Sequence, residues 1–237
     1  MINEKCKKVN NDAYKSLGFS AQREYPNEEF LRFLGRNYKG ETNKKFLELG
    51  SGSCSNLWAV AKMGFDAYGI DLADECIELG HKMLEKWGTK ANLSAMDMTK
   101  LDFKDNEFDC VFDVFSMYSI NYDGFEKCIK EISRILKPGG RFFSYHPSTG
   151  SDAFINYFPA EKIDEYTLNE IKREDSPYYP HKCPFRFVEK YDFKAKLEEA
   201  GFEVNYLETV TKTYSQFHIQ NNKKENMEFV IIEAIKK

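Results

Sequence analysis

Residues 46–56 read Phe-Leu-Glu-Leu-Gly-Ser-Gly-Ser-Cys-Ser-Asn and hold the clearest chemistry in this chain. An apolar run meets two closely spaced glycines, Gly50 and Gly52, and a helix-like pattern follows at Leu57, Trp58, Val60 and Ala61. This is a strand, a tight turn and a helix start. Gly50 permits the sharp turn, and Gly52 removes a side chain where a ligand would approach the backbone. The helix start offers N–H groups without intrahelical partners and a partial positive charge. A dinucleotide cradle wants a third glycine at position 55, where this chain has Ser55. Glu48 stands two residues before the first glycine; its charge repels a phosphate and suits a cation.

Two further acids fall where strands are expected to end. Asp71 closes the run Gly64–Asp71, about 20 residues after Gly52, a spacing that lets a carboxylate accept from both ribose hydroxyls of a nucleoside. That assignment does not say which nucleoside, and a helix cap before Ala73-Asp74-Glu75 is the alternative. Asp97 and Met98 follow a short strand at Ala91–Met96. A carboxylate and an apolar side chain there suit a base with an exocyclic amine, and a turn role fits Asp97 equally well.

These groups need a frame. The strand pattern recurs at Glu107–Phe115, followed by Ser116-Met117-Tyr118, and at Arg141–His146. Helical spacing covers Asp74 to about Trp87, Asp123–Leu136 and Phe193–Gly201. Lys137-Pro138-Gly139-Gly140 stops the second of these. Phe202–Ile219 and Met227–Ile235 read as two long strands joined by a polar turn, Gln220–Asn226. Residues 1–43 suggest helices, one beginning at Pro26-Asn27-Glu28-Glu29. They form either a plain amphipathic cover over one sheet edge or a lid, with Arg23 or Tyr25 near the ligand. Residues 147–190 are rich in aromatics, prolines and mixed charge and read as an insert over the substrate. All of this fits one domain over 1–237.

Glu-Leu-Gly-Ser-Gly-Ser at Glu48–Ser53, Phe-Asp-x-Val at Phe108–Val111 and Ile-Leu-Lys-Pro-Gly-Gly at Ile135–Gly140 resemble the motifs of class I S-adenosylmethionine-dependent methyltransferases. That cofactor carries an ammonium and a sulfonium and no phosphate. The resemblance covers 44–146 motif by motif and 188–237 in layout. It implies an α/β fold, a three-layer Rossmann-like sandwich whose seven-stranded, mostly parallel sheet ends in an antiparallel C-terminal strand. It implies that Glu48, Gly50, Ser51, Gly52 and Asn56 hold the methionine end, that Asp71 takes the ribose, that Leu72 flanks the adenine and that Asp97 with Met98 recognises it. Phe115 would lie against the cofactor. Ser53 and Cys54 depart from the family, where threonine and glycine are common.

The implied activity is methyl transfer to a small molecule, such as an oxygen of a sugar, a sugar nucleotide or another metabolite, leaving S-adenosylhomocysteine. His146, at the expected end of the fifth strand, is the first candidate base, with Tyr118 and His181 after it; a hydrogen bond to loop backbone is the alternative for His146. No Asn/Asp-Pro-Pro-Tyr stands after the fourth strand, which argues against amino-methylation of bases. A nicotinamide oxidoreductase and a non-catalytic S-adenosylmethionine-binding protein are the competing readings. A net charge of −4 leaves no basic footprint for nucleic acid. Six scattered cysteines without a Cys-x-x-Cys argue against a metal site and fit a reducing cytoplasm. No apolar run approaches the roughly 18 residues that span a bilayer. The expectation is a cytoplasmic enzyme, monomeric or homodimeric, without metal, membrane or nucleic-acid partners.

Overall fold

The computed structural model describes residues 2–18, 24–215 and 224–237. Arg23, the far end of the strand expected to reach Ile219, and residues 220–223 of the expected turn lie outside the described residues. Among the described residues nine strands are seen: β1 (Lys45–Leu49), β2 (Asp66–Asp71), β3 (Asn92–Ala95), β4 (Phe108–Val114), β5 (Leu136–Pro147), β6 (Thr167–Leu168), β7 (Phe185–Arg186), β8 (Phe202–Ser215) and β9 (Lys224–Lys236). The helices are α1 (Ile2–Leu17), α2 (Glu28–Asn37), α3 (Ser55–Lys62), α4 (Asp74–Lys86), α5 (Tyr122–Ile135), α6 (Asp152–Ile155) and α7 (Lys190–Glu199).

Seven strands form one sheet in the order β3-β2-β1-β4-β5-β9-β8. The first five are parallel, and β9 runs antiparallel to both β5 and β8. The order reverses at β1, between β2 and β4, which is where such sheets open a crevice at the strand ends. Helices α5 and α7 cover one face through Phe125, Ile129, Ile132, Phe193 and Leu197. Helices α2, α3 and α4 cover the other through Phe30, Phe33, Leu57, Val60 and Leu84. This is the three-layer Rossmann-like sandwich expected, with its antiparallel C-terminal hairpin. Most boundaries shift by one to three residues, and the largest change is in β5, which begins at Leu136 and runs through the Pro138-Gly139-Gly140 stretch. Gly139 at φ 76° lets the chain bulge there, and the β4–β5 register shifts between Phe108 and Cys110.

The insert has its own small core of Leu168, Ile171, Phe185 and Phe187, closed by the β6–β7 pair and packed against Phe115 and Tyr118. The entry to α2 is tied to the crevice. Asn27 caps α2, its side chain accepting from Glu29 N at 2.9 Å and Phe30 N at 3.1 Å, while its own N–H donates to Asn56 Oδ1 at 2.8 Å. Asn27→Ala is therefore expected to lower stability by about 1 kcal/mol, seen as a fall of roughly 2–4 °C in Tm by calorimetry.

Candidate active site

A cavity of about 420 Å³ opens at the C-terminal ends of β1, β2 and β4, within the range of roughly 300–1,000 Å³ usual for ligand pockets. Glu48, Gly50, Ser51, Asn56, Asp71, Leu72, Asp97, Met98, Phe115 and Tyr118 all line it. Gly52 does other work: its N–H donates to Asp71 Oδ2 at 3.0 Å, tying the glycine loop to β2. The loop itself needs a bare Gly50, at φ 60°, because a Cβ there would fall 2.3 Å from the Ser116 Cβ. Cys54 also takes a left-handed backbone, φ 63°, at the N-cap of α3, where a glycine would be unstrained.

Glu48 is buried on β1. Its Oε1 accepts from Asn56 Nδ2 at 2.8 Å, and its Oε2 is buried without a hydrogen-bond partner. Burial pushes its pKa up to about 8, so the free protein holds this carboxyl largely neutral at pH 7. Asn56 is thus a positioning group, with one end of its amide on Glu48 and the other on the Asn27 backbone. Asp71 accepts from Gly52 N and, at 3.0 Å, from Ala73 N, so the helix-entry role and the cavity role coexist in one side chain. Burial raises its pKa, against the pull of those two N–H groups. Asp97 likewise does both: Oδ1 accepts from Thr99 N at 2.9 Å and Thr99 Oγ1 at 2.8 Å while the residue lines the cavity.

Asp113, at the end of β4, was not singled out in the sequence. It is fully buried and collects the Ser116 and Met117 N–H groups, both at 2.9 Å, the Ser116 hydroxyl, and the Ser144 hydroxyl at 2.8 Å. Ser116 Oγ also lies 2.7 Å from Leu49 O, so its one proton is shared between Asp113 and that carbonyl. This network sets the turn that carries Phe115, itself at φ 62°, and Tyr118 into the wall. Only its burial on an apolar strand marks it, and that is not visible before folding. Helix α1 was also underread: Cys6, Asn10 and Tyr14 line the cavity. The helix rests on α4 through Lys7–Asp74 at 2.8 Å and an Asn11 Oδ1 that accepts from Glu75 N at 3.2 Å. Tyr25, offered for the lid, instead packs edge-on against Trp87, 5.6 Å between centroids.

His146 corrects the sequence expectation. It does not line the cavity. It is fully buried against Phe125 and Phe193, with Nδ1 3.0 Å from Pro147 O. The strand does not end at His146 but continues to Pro147, paired with β9, and the pleat turns this side chain into the α5–α7 layer. Burial drives its pKa down to about 4, so it stays neutral. Tyr118 does line the cavity, but burial raises its pKa, so at neutral pH it is a phenol that donates rather than a base.

The donor set fits S-adenosylmethionine. Among the described lining residues there is no Lys or Arg to meet a phosphate, whereas three acids, Glu48, Asp71 and Asp97, line the cavity. The orphaned Glu48 Oε2 is the polar atom such an ammonium would satisfy. No group of three or more His, Cys, Asp or Glu among the described residues could hold a metal ion.

Two predictions follow from these placements. Binding a cation at Glu48 requires the ionised carboxylate, whose pKa in the free protein is about 8. S-adenosylhomocysteine binding should therefore release a proton near pH 7 and tighten as pH rises, until the ligand's own amine deprotonates. Calorimetry in buffers of different ionisation enthalpy reads this, and Glu48→Gln should abolish the proton release. His146→Asn should leave S-adenosylhomocysteine affinity within about twofold, yet lower Tm by several degrees, from roughly 1–3 kcal/mol of lost packing.

Known proteins agree with this architecture. A family model described as "Methyltransferase domain" matches residues 46–140. The sterol 4-C-methyltransferase of Caenorhabditis elegans is 32% identical over 106 residues, 44% of this chain and 31% of that protein. A mitochondrial 2-methoxy-6-polyprenyl-1,4-benzoquinol methylase of Xenopus laevis is 30% identical over 155 residues, 61% of this chain and 48% of that protein. The chain thus spans between about a third and a half of the length of these curated relatives. A Burkholderia thailandensis 1,6-didemethyltoxoflavin-N1-methyltransferase, solved with its substrate and S-adenosylhomocysteine, shares the fold at a TM-score of 0.70, with 14% identity over 100% of this chain and 91% of that one. The sheet order is that of the class I, Rossmann-like methyltransferase fold, and residues 46–140, with the glycine loop, match the methyltransferase-domain family.

Proposed function

We propose that this protein transfers a methyl group from S-adenosylmethionine to a small-molecule acceptor. The observation that carries the reading is one cavity lined by Glu48, Asp71 and Asp97 and, among the described residues, by no cation. Bound S-adenosylmethionine supplies an electrophilic methyl group on a sulfonium. The rest falls to the chain. Glu48 and the Gly50–Ser51 loop grip the methionine end, with Asn56 holding Glu48 in place. Asp71 takes the ribose, Leu72 and Met98 pack on the adenine, and Asp97 accepts from its amine. Phe115 and Tyr118 form the wall where an acceptor meets the methyl group. Little charge develops at this wall, so orientation is the main contribution; well-placed reactants reach effective molarities of about 10⁵–10⁸ M. Helix α1 closes the cavity from outside, and the insert backs its acceptor end.

The acceptor is a metabolite whose methylated atom is an oxygen, as in a sugar or sugar nucleotide, or a carbon, as the relatives named for quinol and sterol methylation suggest. The acidic balance, with a net charge of −4, supports no nucleic-acid partner. Among the described residues no helix is long and apolar enough to cross a membrane. A cytoplasmic monomer or homodimer completes the proposal. The test is S-adenosylhomocysteine release from S-adenosylmethionine on incubation with fractionated metabolites, with mass spectrometry of the product. Asp71→Ala should weaken S-adenosylhomocysteine binding by about 10–100-fold, the worth of a hydrogen-bonding charged group. Binding of NADH in preference to S-adenosylhomocysteine, or unchanged affinity in Asp71→Ala, would overturn the reading.

A further inference from the structure

Four polar ties from helix α1 land on the first turn of α4, a few residues after Asp71. Lys7 meets Asp74 at 2.8 Å, Lys15 meets Glu75 at 3.9 Å, Asn11 Oδ1 accepts from Glu75 N at 3.2 Å, and the Tyr14 hydroxyl bonds to the Cys76 thiol. The last of these reaches the cavity. Tyr14 and Asp71 both line it, and the buried Cys76 thiol lies against the two of them. The direction of this chain follows from its groups. The Asp71 carboxylate can only accept, so the single thiol proton goes to it, and the sulfur is left to accept from the Tyr14 hydroxyl. Burial holds the Tyr14 phenol protonated. The chain therefore runs from Tyr14 O–H to Cys76 S–H to Asp71.

Four donors thus crowd Asp71: the Gly52, Leu72 and Ala73 N–H groups and the Cys76 thiol. That is about as many as the two oxygens of a carboxylate hold, so a ribose hydroxyl binds there by displacing one of them. The three N–H groups belong to the glycine loop and the entry to α4, and a buried backbone donor left unpaired is costly. A thiol is a weak donor and, unpaired, behaves as a small apolar group. The thiol is the donor released, and the Tyr14 hydroxyl bonded to it borders the same cavity. We infer that Tyr14 is a second ribose contact: on cofactor binding, a ribose hydroxyl takes the thiol's place on Asp71 and accepts from the Tyr14 hydroxyl, fastening α1 to the nucleoside itself. This rests on the methyl-transfer reading and adds a residue to its cofactor site. An O–H···O bond replaces a weaker O–H···S bond, so α1 is held more firmly with the cofactor than without it. Asn10 and Cys6 stand one and two turns nearer the start of the helix, about 6 Å apart along its axis, and line the same cavity, with Cys6 towards Tyr118. Helix α1 thereby joins the ribose to the acceptor wall, and the acceptor end is complete only once the nucleoside is in place. Tyr14 touches the cofactor in this account, and Cys76 is a positioning group.

The test uses the full-length protein and calorimetry with S-adenosylhomocysteine and its 2′-deoxy and 3′-deoxy analogues. Tyr14→Phe keeps the ring packing and should weaken S-adenosylhomocysteine by about tenfold. At least one deoxy analogue, lacking the bridging hydroxyl, should bind this variant and the unmodified protein alike, which a purely structural role for the phenol would not produce. Cys76→Ala removes the competing donor and should bind S-adenosylhomocysteine as tightly as the unmodified protein or more tightly. Hydrogen exchange reads the fastening of the helix: at saturating S-adenosylhomocysteine the amides of residues 6–17 should slow by about tenfold in the unmodified protein and by less in Tyr14→Phe. Unchanged S-adenosylhomocysteine affinity in Tyr14→Phe, or equal weakening of all three ligands, overturns the inference. So does about tenfold weaker binding in Cys76→Ala, or exchange in α1 that the ligand leaves unaltered in the unmodified protein. Failure of the unmodified protein to bind S-adenosylhomocysteine would overturn the methyl-transfer reading as well, whereas intact binding with any of those four results overturns this inference alone.

Discussion

A half-satisfied carboxyl in a dry strand is the constraint around which the rest is arranged. Glu48 sits on β1 between two parallel neighbours, where an isolated charge would be costly. The fold resolves this by protonation in the free protein and by the first turn of α3, where the Asn56 side chain, with the Leu57 N–H beside it, clamps the carboxyl. That clamp reaches on to the backbone of Asn27, so one chain of polar contacts joins the central strand, the helix after the glycine turn and the start of α2. The remaining oxygen is left for a ligand. In the proposed reading a cation arriving there would exchange a proton for an ion pair, which would favour a ligand with an amine and no phosphate.

The same economy recurs at the neighbouring strand ends. Asp71 holds the Gly52 and Ala73 backbone with one oxygen each, has the Leu72 N–H and the Cys76 thiol against it as well, and still lines the cavity. Asp113 has no such freedom: four donors from three residues engage it, and it fixes the turn that presents Phe115 and Tyr118. Rigid strand ends therefore place the polar groups, while the flatter aromatic wall belongs to the turn and the insert. Division of labour of this kind lets one sheet serve different acceptors, because the insert can change without disturbing β1, β2 or β4.

Much of this was legible before folding. Gly50 with Gly52, the acids at strand ends and the proline-glycine stop after α5 are local signals, set by backbone sterics and helix termination, so their order predicts the parallel half of the sheet. The C-terminal hairpin was legible from strand length and alternation. His146 was misplaced because its position depends on where β5 stops, and pairing with β9, distant in sequence, carries the strand one residue further and turns the ring into the core. Residues 1–43 read as either a cover or a lid, because the polar face of α1 gives no hint that Asn10 and Tyr14 line a cavity.

The sequence by itself determined the sheet, the glycine turn and the acidic character of its rim, since each follows from a few adjacent residues and the steric rules that act on them. Tertiary structure alone decided which polar atoms are left without partners. Glu48 Oε2 and His181 Nε2 are orphaned only because segments far apart in the chain pack together and exclude water from them, and no local pattern encodes that exclusion.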